Sequence, residues 1–427
     1  MTVVISKNKV LPMPVLKSKF ATILILSFFP LSLALNLVNF FWMDAAFILS
    51  TLVAYFFWIR KGHSTLQETF GLQNKVLLAF ICVYFLSGIA GYTLNSPMQT
   101  NEWIKIANLR WIWGFFACYS AGYIMADQKQ RWPWNFSALV LVLVAIVIRH
   151  YTETAGAFFS PDIRAQGFYS NPNYFAMAAV VLWAAMLPFL IYAQSKWSGI
   201  CAAIVLACIT VILVATYTRT AWIAMFSALF FALIYSKNKK ALGLSVMAVA
   251  AAATAVYFNV FDLKERILYS FDLSGPTSQG VRISTWKATW HIFLDHPIFG
   301  VGFEHAASLY RDYYIKLGQP TFHIPGHAHN QFLDVLSGAG IFGLIGYLGA
   351  LALGYLFFHK AFKSSTEVLS KQLSLSALLC IVALFGCSIT ETPIIQQETR
   401  NYVLMILGFS YGYLFRKQKT AVENPVN

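Results

Sequence analysis

The sequence predicts an all-α polytopic membrane protein of about 12 transmembrane helices. Three observations predict it. The 427 residues are 58% hydrophobic and only 11% charged, where soluble domains carry about 25% charged residues. Apolar runs recur at close to the length that spans a bilayer. None shows the ten-residue alternation of a β-barrel.

Twelve spans are read in order at 20–36, 42–59, 75–92, 103–126, 134–150, 173–193, 198–216, 219–236, 240–258, 330–358, 372–390 and 400–415. The first two form nearly one run, with a turn marked by Asn36, Asn39 and Asp44. Lys7, Lys9, Lys17 and Lys19 precede the first run without a small-residue cleavage site, which reads as a retained signal anchor. No internal repeat divides the chain, so residues 1–427 are expected to form a single integral membrane domain. The six cysteines all fall inside apolar runs and read as small buried hydrophobes.

Charge sets the orientation. With both termini cytoplasmic, the cytoplasmic tails and loops hold 19 of the 31 basic residues and only four of the 17 acids. This bias is what the positive-inside rule predicts. The net charge of +14 therefore calls for no nucleic-acid partner. Two sizeable segments then fall outside, 151–172 and 259–329, the latter between spans nine and ten. The cytoplasmic loops are short, so the working face is expected to be the periplasmic side of a bacterial inner membrane.

Four constellations of polar residues lie on that face. Arg219 sits in Thr-Tyr-Thr-Arg-Thr between spans seven and eight. It is either an arginine snorkelling to the interface or one facing a cavity, and the residues alone leave both open. In the second, Arg282 opens a stretch in which Ile283, Trp286 and Trp290 share a helical stripe. That pattern reads as an amphipathic helix lying in the interface, tryptophans down.

The third is Gly326-His327-Ala328-His329-Asn330 at the start of span ten. A neutral histidine can take a proton from a sugar hydroxyl. A His-x-His pair, with His323, can also bind metal. No acid or cysteine lies at ligand spacing in sequence, which favours acid–base work; Asn330 reads equally as a helix cap. The fourth runs from Arg164 through Gly167 and Asn171-Pro172 to Asn173, for which a structured helix start accounts nearly in full. Glu391, Glu398 and Arg400 make a weaker cluster before the last span.

Taken together these residues resemble the O-antigen ligase and polymerase superfamily of membrane glycosyltransferases. The likeness rests on Arg164 through Asn173, Arg219 at a span end, Arg282 with Trp286 followed by Asp295-His296-Pro297-Ile298-Phe299-Gly300-Val301-Gly302, and His329-Asn330 followed at fixed spacing by Gly340 and Gly343. It covers about residues 160 to 415. The resemblance implies a GT-C-like fold whose large periplasmic loop contains interfacial helices. It implies an undecaprenyl-diphosphate-linked glycan as donor and the lipid A core oligosaccharide as acceptor. By the same likeness His329 matches the catalytic base and Arg219 and Arg282 match the arginines on the donor diphosphate. Arg164, Asn173, Trp286, His327 and Asn330 are supporting residues. Since two arginine forks can neutralise a diphosphate, no metal and no cofactor are expected, and transfer should invert the anomeric centre. Within the family the alternatives are a glycan polymerase and a protein O-oligosaccharyltransferase. A 12-span secondary transporter would show symmetric halves and ionisable residues near mid-span. Here the charges gather at span ends and the 259–329 loop has no counterpart in the first half.

Overall fold

The computed structural model describes residues 72–95, scattered positions between 115 and 126, residues 136–268 except 155, 157, 160 and 161, and residues 278–423. The predicted first two spans, with their signal anchor, and most of the fourth lie outside the described residues. Among those described, every regular element is helical. In order the α-helices are α1 (Leu72–Asn95), α2 (Phe136–Glu153), α3 (Pro172–Ile191), α4 (Lys196–Ala215), α5 (Arg219–Ser236), α6 (Lys239–Tyr257), the short α7 (Leu263–Leu268) preceded by a 3-10 turn at Val260–Asp262, α8 (Ser278–Asp295), α9 (Ala306–Lys316), α10 (Gln331–Ser364), α11 (Val368–Ser388) and α12 (Gln397–Glu423). Seven of them, α1, α3 to α6, α10 and α11, are long and apolar enough to cross a membrane. The chain is a multi-pass, all-helical membrane protein.

The middle of the bundle is made by α3 and α11, which pack on each other and between α4, α5, α10 and α12. α3 is apolar around its whole circumference, and a helix of that kind must be buried. In α3 the run Phe175 to Pro188 is almost completely enclosed. Small and hydroxylated residues let the backbones approach. The hydroxyl of Ser376 on α11 donates to the Ala185 carbonyl of α3 at 2.6 Å, and Trp183 Nε1 donates to Thr210 on α4 at 3.0 Å. The cysteines are free; Cys118, Cys380 and Cys387 are buried as read, whereas Cys82 and Cys201 are exposed on the helix surfaces.

Predicted span ten is one helix of 34 residues, α10, but it is broken. At Gly340 the backbone takes φ 66°, ψ −166°. The turn after α8 docks into the break: Val301 N donates to Ser337 O at 2.8 Å, Gly302 N to Gly338 O at 2.8 Å, and Ile341 N to Pro297 O at 2.9 Å. These bonds satisfy groups that the interrupted helix leaves without intrahelical partners. A Cβ at Gly340 would lie 2.2 Å from Ile298 O. Only glycine meets both demands, a positive φ and contact with foreign backbone. The spaced glycines after His329-Asn330 thus have a structural cause.

Helix α8 packs on the protein through a face other than the stripe of Ile283, Trp286 and Trp290. Thr285, Ala288, Thr289 and Ile292 are the fully enclosed residues, packed against α9 in a small separate core with Val301, Ala306, Tyr310 and Tyr314. Thr285 and Thr289 bond the carbonyls of Val281 and Thr285, each at 2.7 Å. Bonding back to the helix in this way lets a threonine behave as an apolar residue, which is why the polar letters concealed the face.

Candidate active site

One end of the bundle gathers the starts of α3, α5, α10 and α12 with the ends of α4 and α11. The turn from α4 into α5, Thr216-Tyr217-Thr218, is strained: Tyr217 has φ 49°, a conformation bulky residues rarely adopt. Arg164 spans it. Its Nε donates to Thr216 O at 2.7 Å, and its Nη2 donates to Asn173 Oδ1 at 2.6 Å and to Thr218 Oγ1 at 2.9 Å. Asn173 is in turn fixed at the start of α3, its backbone N–H bonded to the capping Asn171 side chain at 2.8 Å. Arg164 and Asn173 therefore come together as a brace for the turn that presents Arg219. Arg219 is the first residue of α5. Its neighbour Thr220 shares a 2.6 Å hydroxyl bond with Thr390, which brings the first turn of α5 beside the loop that follows α11.

That loop carries the residue at the centre of the site, Glu391. Its Oε1 accepts from Arg282 Nη2 at 2.5 Å and its Oε2 from His329 Nδ1 at 3.0 Å. His327 Nε2 stands 3.9 Å from Oε2, too far for a hydrogen bond, with its ring centroid 4.2 Å from that of His329. Trp286 Nε1 donates to the His329 carbonyl at 3.3 Å. Asn330 caps α10 by accepting from Leu333 N at 3.0 Å, and its Nδ2 donates to Ile389 O at 3.0 Å. The capping role read for Asn330 and a bracing role thus coexist. Gln331 accepts from Ile394 N at 2.9 Å, and Arg400 Nη1 donates to Ile394 O at 3.0 Å, so the 389–396 loop is held from both sides. His329 itself has φ 50°. A left-handed non-glycine residue costs on the order of 1–3 kcal/mol and persists where its surroundings over-determine it.

The electrostatics assign protonation. Glu391 is 1% exposed. Burial pushes its carboxyl up, but the His327 and His329 rings and the Arg282 charge outweigh that and hold it well below the usual carboxylate range. The direct bonds from His329 and Arg282 carry most of this, given the longer reach to His327. His329 is lowered from 6.5, first by burial; Glu391 opposes the shift, while His327 and Arg282 add to it. At neutral pH the pair is therefore an ionised carboxylate and a neutral imidazole. An ionised carboxylate only accepts, so the proton sits on His329 Nδ1 and the lone pair on Nε2. The arrangement can take up a proton beside a guanidinium able to hold an anion.

His327, His329 and Glu391 also place donor atoms within 4.8 Å of one another. The sequence shows no acid beside the histidines; the fold supplies one across 62 residues. A divalent cation at this cluster would face the guanidinium already bonded to the same carboxylate, and like charges this close repel strongly. The donor set suits proton transfer better than metal binding.

Sequence reasoning singles out Arg282, His327, His329, Trp286 and Asn330, which the structure brings together, and Arg164 with Asn173, which form the adjoining brace. It underrates Glu391, assigned to a minor cluster with Glu398 and Arg400. The signal available was a lone acid just beyond an apolar run, a position where ionisable groups are costly and usually functional.

Comparison with known proteins agrees with the resemblance read from the residues. The family described as O-Antigen ligase matches residues 202–348, an interval containing Arg219, Arg282, His327 and His329 but ending before Glu391. The chain is also similar to the teichuronic acid biosynthesis protein TuaE of Bacillus subtilis (strain 168), 20% identical over 388 residues that cover 86% of this chain and 78% of the relative.

Proposed function

We propose that this membrane enzyme of the O-antigen ligase family transfers a glycan from undecaprenyl diphosphate to the lipid A core oligosaccharide, at the periplasmic face of a bacterial inner membrane. The observation that carries the reading is the His329–Glu391–Arg282 chain, built on the buried Glu391 carboxylate, in which a neutral base lies one carboxylate away from a phosphate-type ligand group. Arg282 and Arg219 hold the donor diphosphate, and guanidinium forks match its oxygens bidentately. His329 Nε2 takes the proton of the acceptor hydroxyl. The acceptor oxygen attacks the anomeric carbon from the face opposite the diphosphate, and the sugar–oxygen bond breaks with its electron pair leaving on undecaprenyl diphosphate. The anomeric configuration inverts. Diphosphate leaves as a stabilised anion and needs charge neutralisation more than protonation, so the arginines suffice without metal.

The name of the relative, a teichuronic acid biosynthesis protein, favours one second reading: a polymerase that extends one lipid-linked chain with another. Deleting the gene and examining surface polysaccharide separates the two. Uncapped lipopolysaccharide with accumulated lipid-linked polymer identifies a ligase; lipopolysaccharide capped with single repeats identifies a polymerase. An unchanged surface and unchanged lipid-linked pools would remove both.

A further inference from the structure

Glu391 lies outside the interval matched by the O-antigen ligase family, yet it touches both halves of the chemistry. Its two oxygens are divided: one is bonded to Arg282 from α8, the other to His329 at the start of α10. A carboxylate stripped of water survives only where charged and hydrogen-bonding partners repay the loss of hydration. The loop that carries it is braced by Asn330, Gln331, Arg400 and the Thr220–Thr390 bond, far more fixing than a connecting loop requires.

We propose that Glu391 is a positioning residue that couples donor binding to the base: one oxygen aims the Arg282 guanidinium, and the other fixes the His329 tautomer and strengthens Nε2 as a proton acceptor. The proposal rests on the reading of His329 as base and Arg282 as donor ligand. Its physical content is a shared charge. When donor diphosphate arrives, its oxygens compete with Glu391 for Arg282. As the guanidinium turns toward the donor, more of the carboxylate charge is left to act on His329. The base is then strongest when there is a donor to react with. Besides Glu391, the groups around the histidines are Arg282 on α8, the His327 ring, Asp334 on α10 within electrostatic reach of His327, and Tyr174 on α3 with its ring 6.4 Å from that of His327.

The test uses the purified full chain in lipid nanodiscs with lipid-linked glycan and core acceptor, comparing wild type, Glu391→Gln, Glu391→Asp and His329→Ala. A glutamine keeps the shape but presents an amide that can satisfy only one partner and can turn His329 to the wrong tautomer. Glu391→Gln is expected to lower kcat by roughly 10²-fold, within the range a general base contributes, with a much smaller change in donor KM. Its acid limb should move to lower pH, because the lost negative charge no longer favours the imidazolium. Glu391→Asp, one methylene short of spanning both partners, should lie between it and wild type in rate and keep part of the limb position. Wild-type kcat and an unmoved acid limb in either folded variant would overturn the coupling. If His329→Ala is inactive at the same time, the base reading stands without it. Near-normal turnover by His329→Ala removes the base and the coupling together.

Discussion

At the scale of single residues, His329 and Arg282 make separable demands. A general base contributes typically about 10²–10⁴-fold in rate, so His329→Ala should bind donor while losing most transfer. His327→Ala should be milder, since His327 stands 3.9 Å from the carboxylate and makes no bond to it. Single-turnover assays on the two variants check this order, and equal losses would contradict it. Burial lowers His329 below 6.5, so the acid limb of kcat/KM should lie below about that pH, with activity falling as pH falls and the imidazole protonates. A limb above pH 7 would mean that some other group titrates. Arg282→Lys should perform poorly because an ammonium lacks the planar fork that matches the diphosphate oxygens bidentately. Losing one such charged donor costs on the order of 2–4 kcal/mol of transition-state stabilisation, and wild-type kcat/KM in folded Arg282→Lys would reject the fork. Chelators should leave the rate unchanged. A chelator-sensitive rate restored by a divalent ion would promote the cluster of His327, His329 and Glu391 to a metal site.

At the scale of elements, the break in α10 is what sets His329 against its neighbours. The 297–302 turn bonds into the helix at Ser337, Gly338 and Ile341, tying α8, which carries Arg282, to α10, which follows His329. Gly340→Ala places a Cβ against the Ile298 carbonyl on a residue whose φ is 66°. Such positions cost about 1–3 kcal/mol each before any clash is counted. The variant should therefore melt lower in detergent and lose transfer, whereas Gly354→Ala in the same helix, where a Cβ meets nothing within 4 Å, should match or exceed wild-type stability. Equal melting of the two would mean that the break is not needed. The sequence marks this region only as spaced glycines. Periodicity describes a helix that continues, and it cannot say where foreign backbone will replace the ladder.

At the scale of the whole molecule, the proposed orientation puts α9 outside the membrane on the donor side. Lys316 there is well exposed, 62% by side chain, and pairs only weakly with Asp295 at 3.4 Å. A cysteine at position 316, in a background lacking the six natural ones, should react with an impermeant thiol reagent in intact spheroplasts. Labelling only after lysis would reverse the orientation and overturn the periplasmic reading. The expected orientation follows from a count of basic residues, which needs no contacts. The helical membrane class and the positions of several spans are legible from sequence: α3, α4, α5 and α6 begin or end within a few residues of the predicted spans, since bilayer thickness fixes their length. The residues of the candidate site stand out one by one in the sequence, because charged and imidazole groups at span ends contrast with an apolar background. What the sequence did not determine is their partnership. Glu391 lies 62 residues from His329 and 109 from Arg282, and only the packing of α11 and α8 on α10 brings its two oxygens to them. The buried face of α8 was likewise decided by packing, through threonines that hide their hydroxyls in their own helix. Local pattern records the cost of placing each group in a solvent; the pairing of distant charges depends on which helices meet, and that is settled only by the folded bundle.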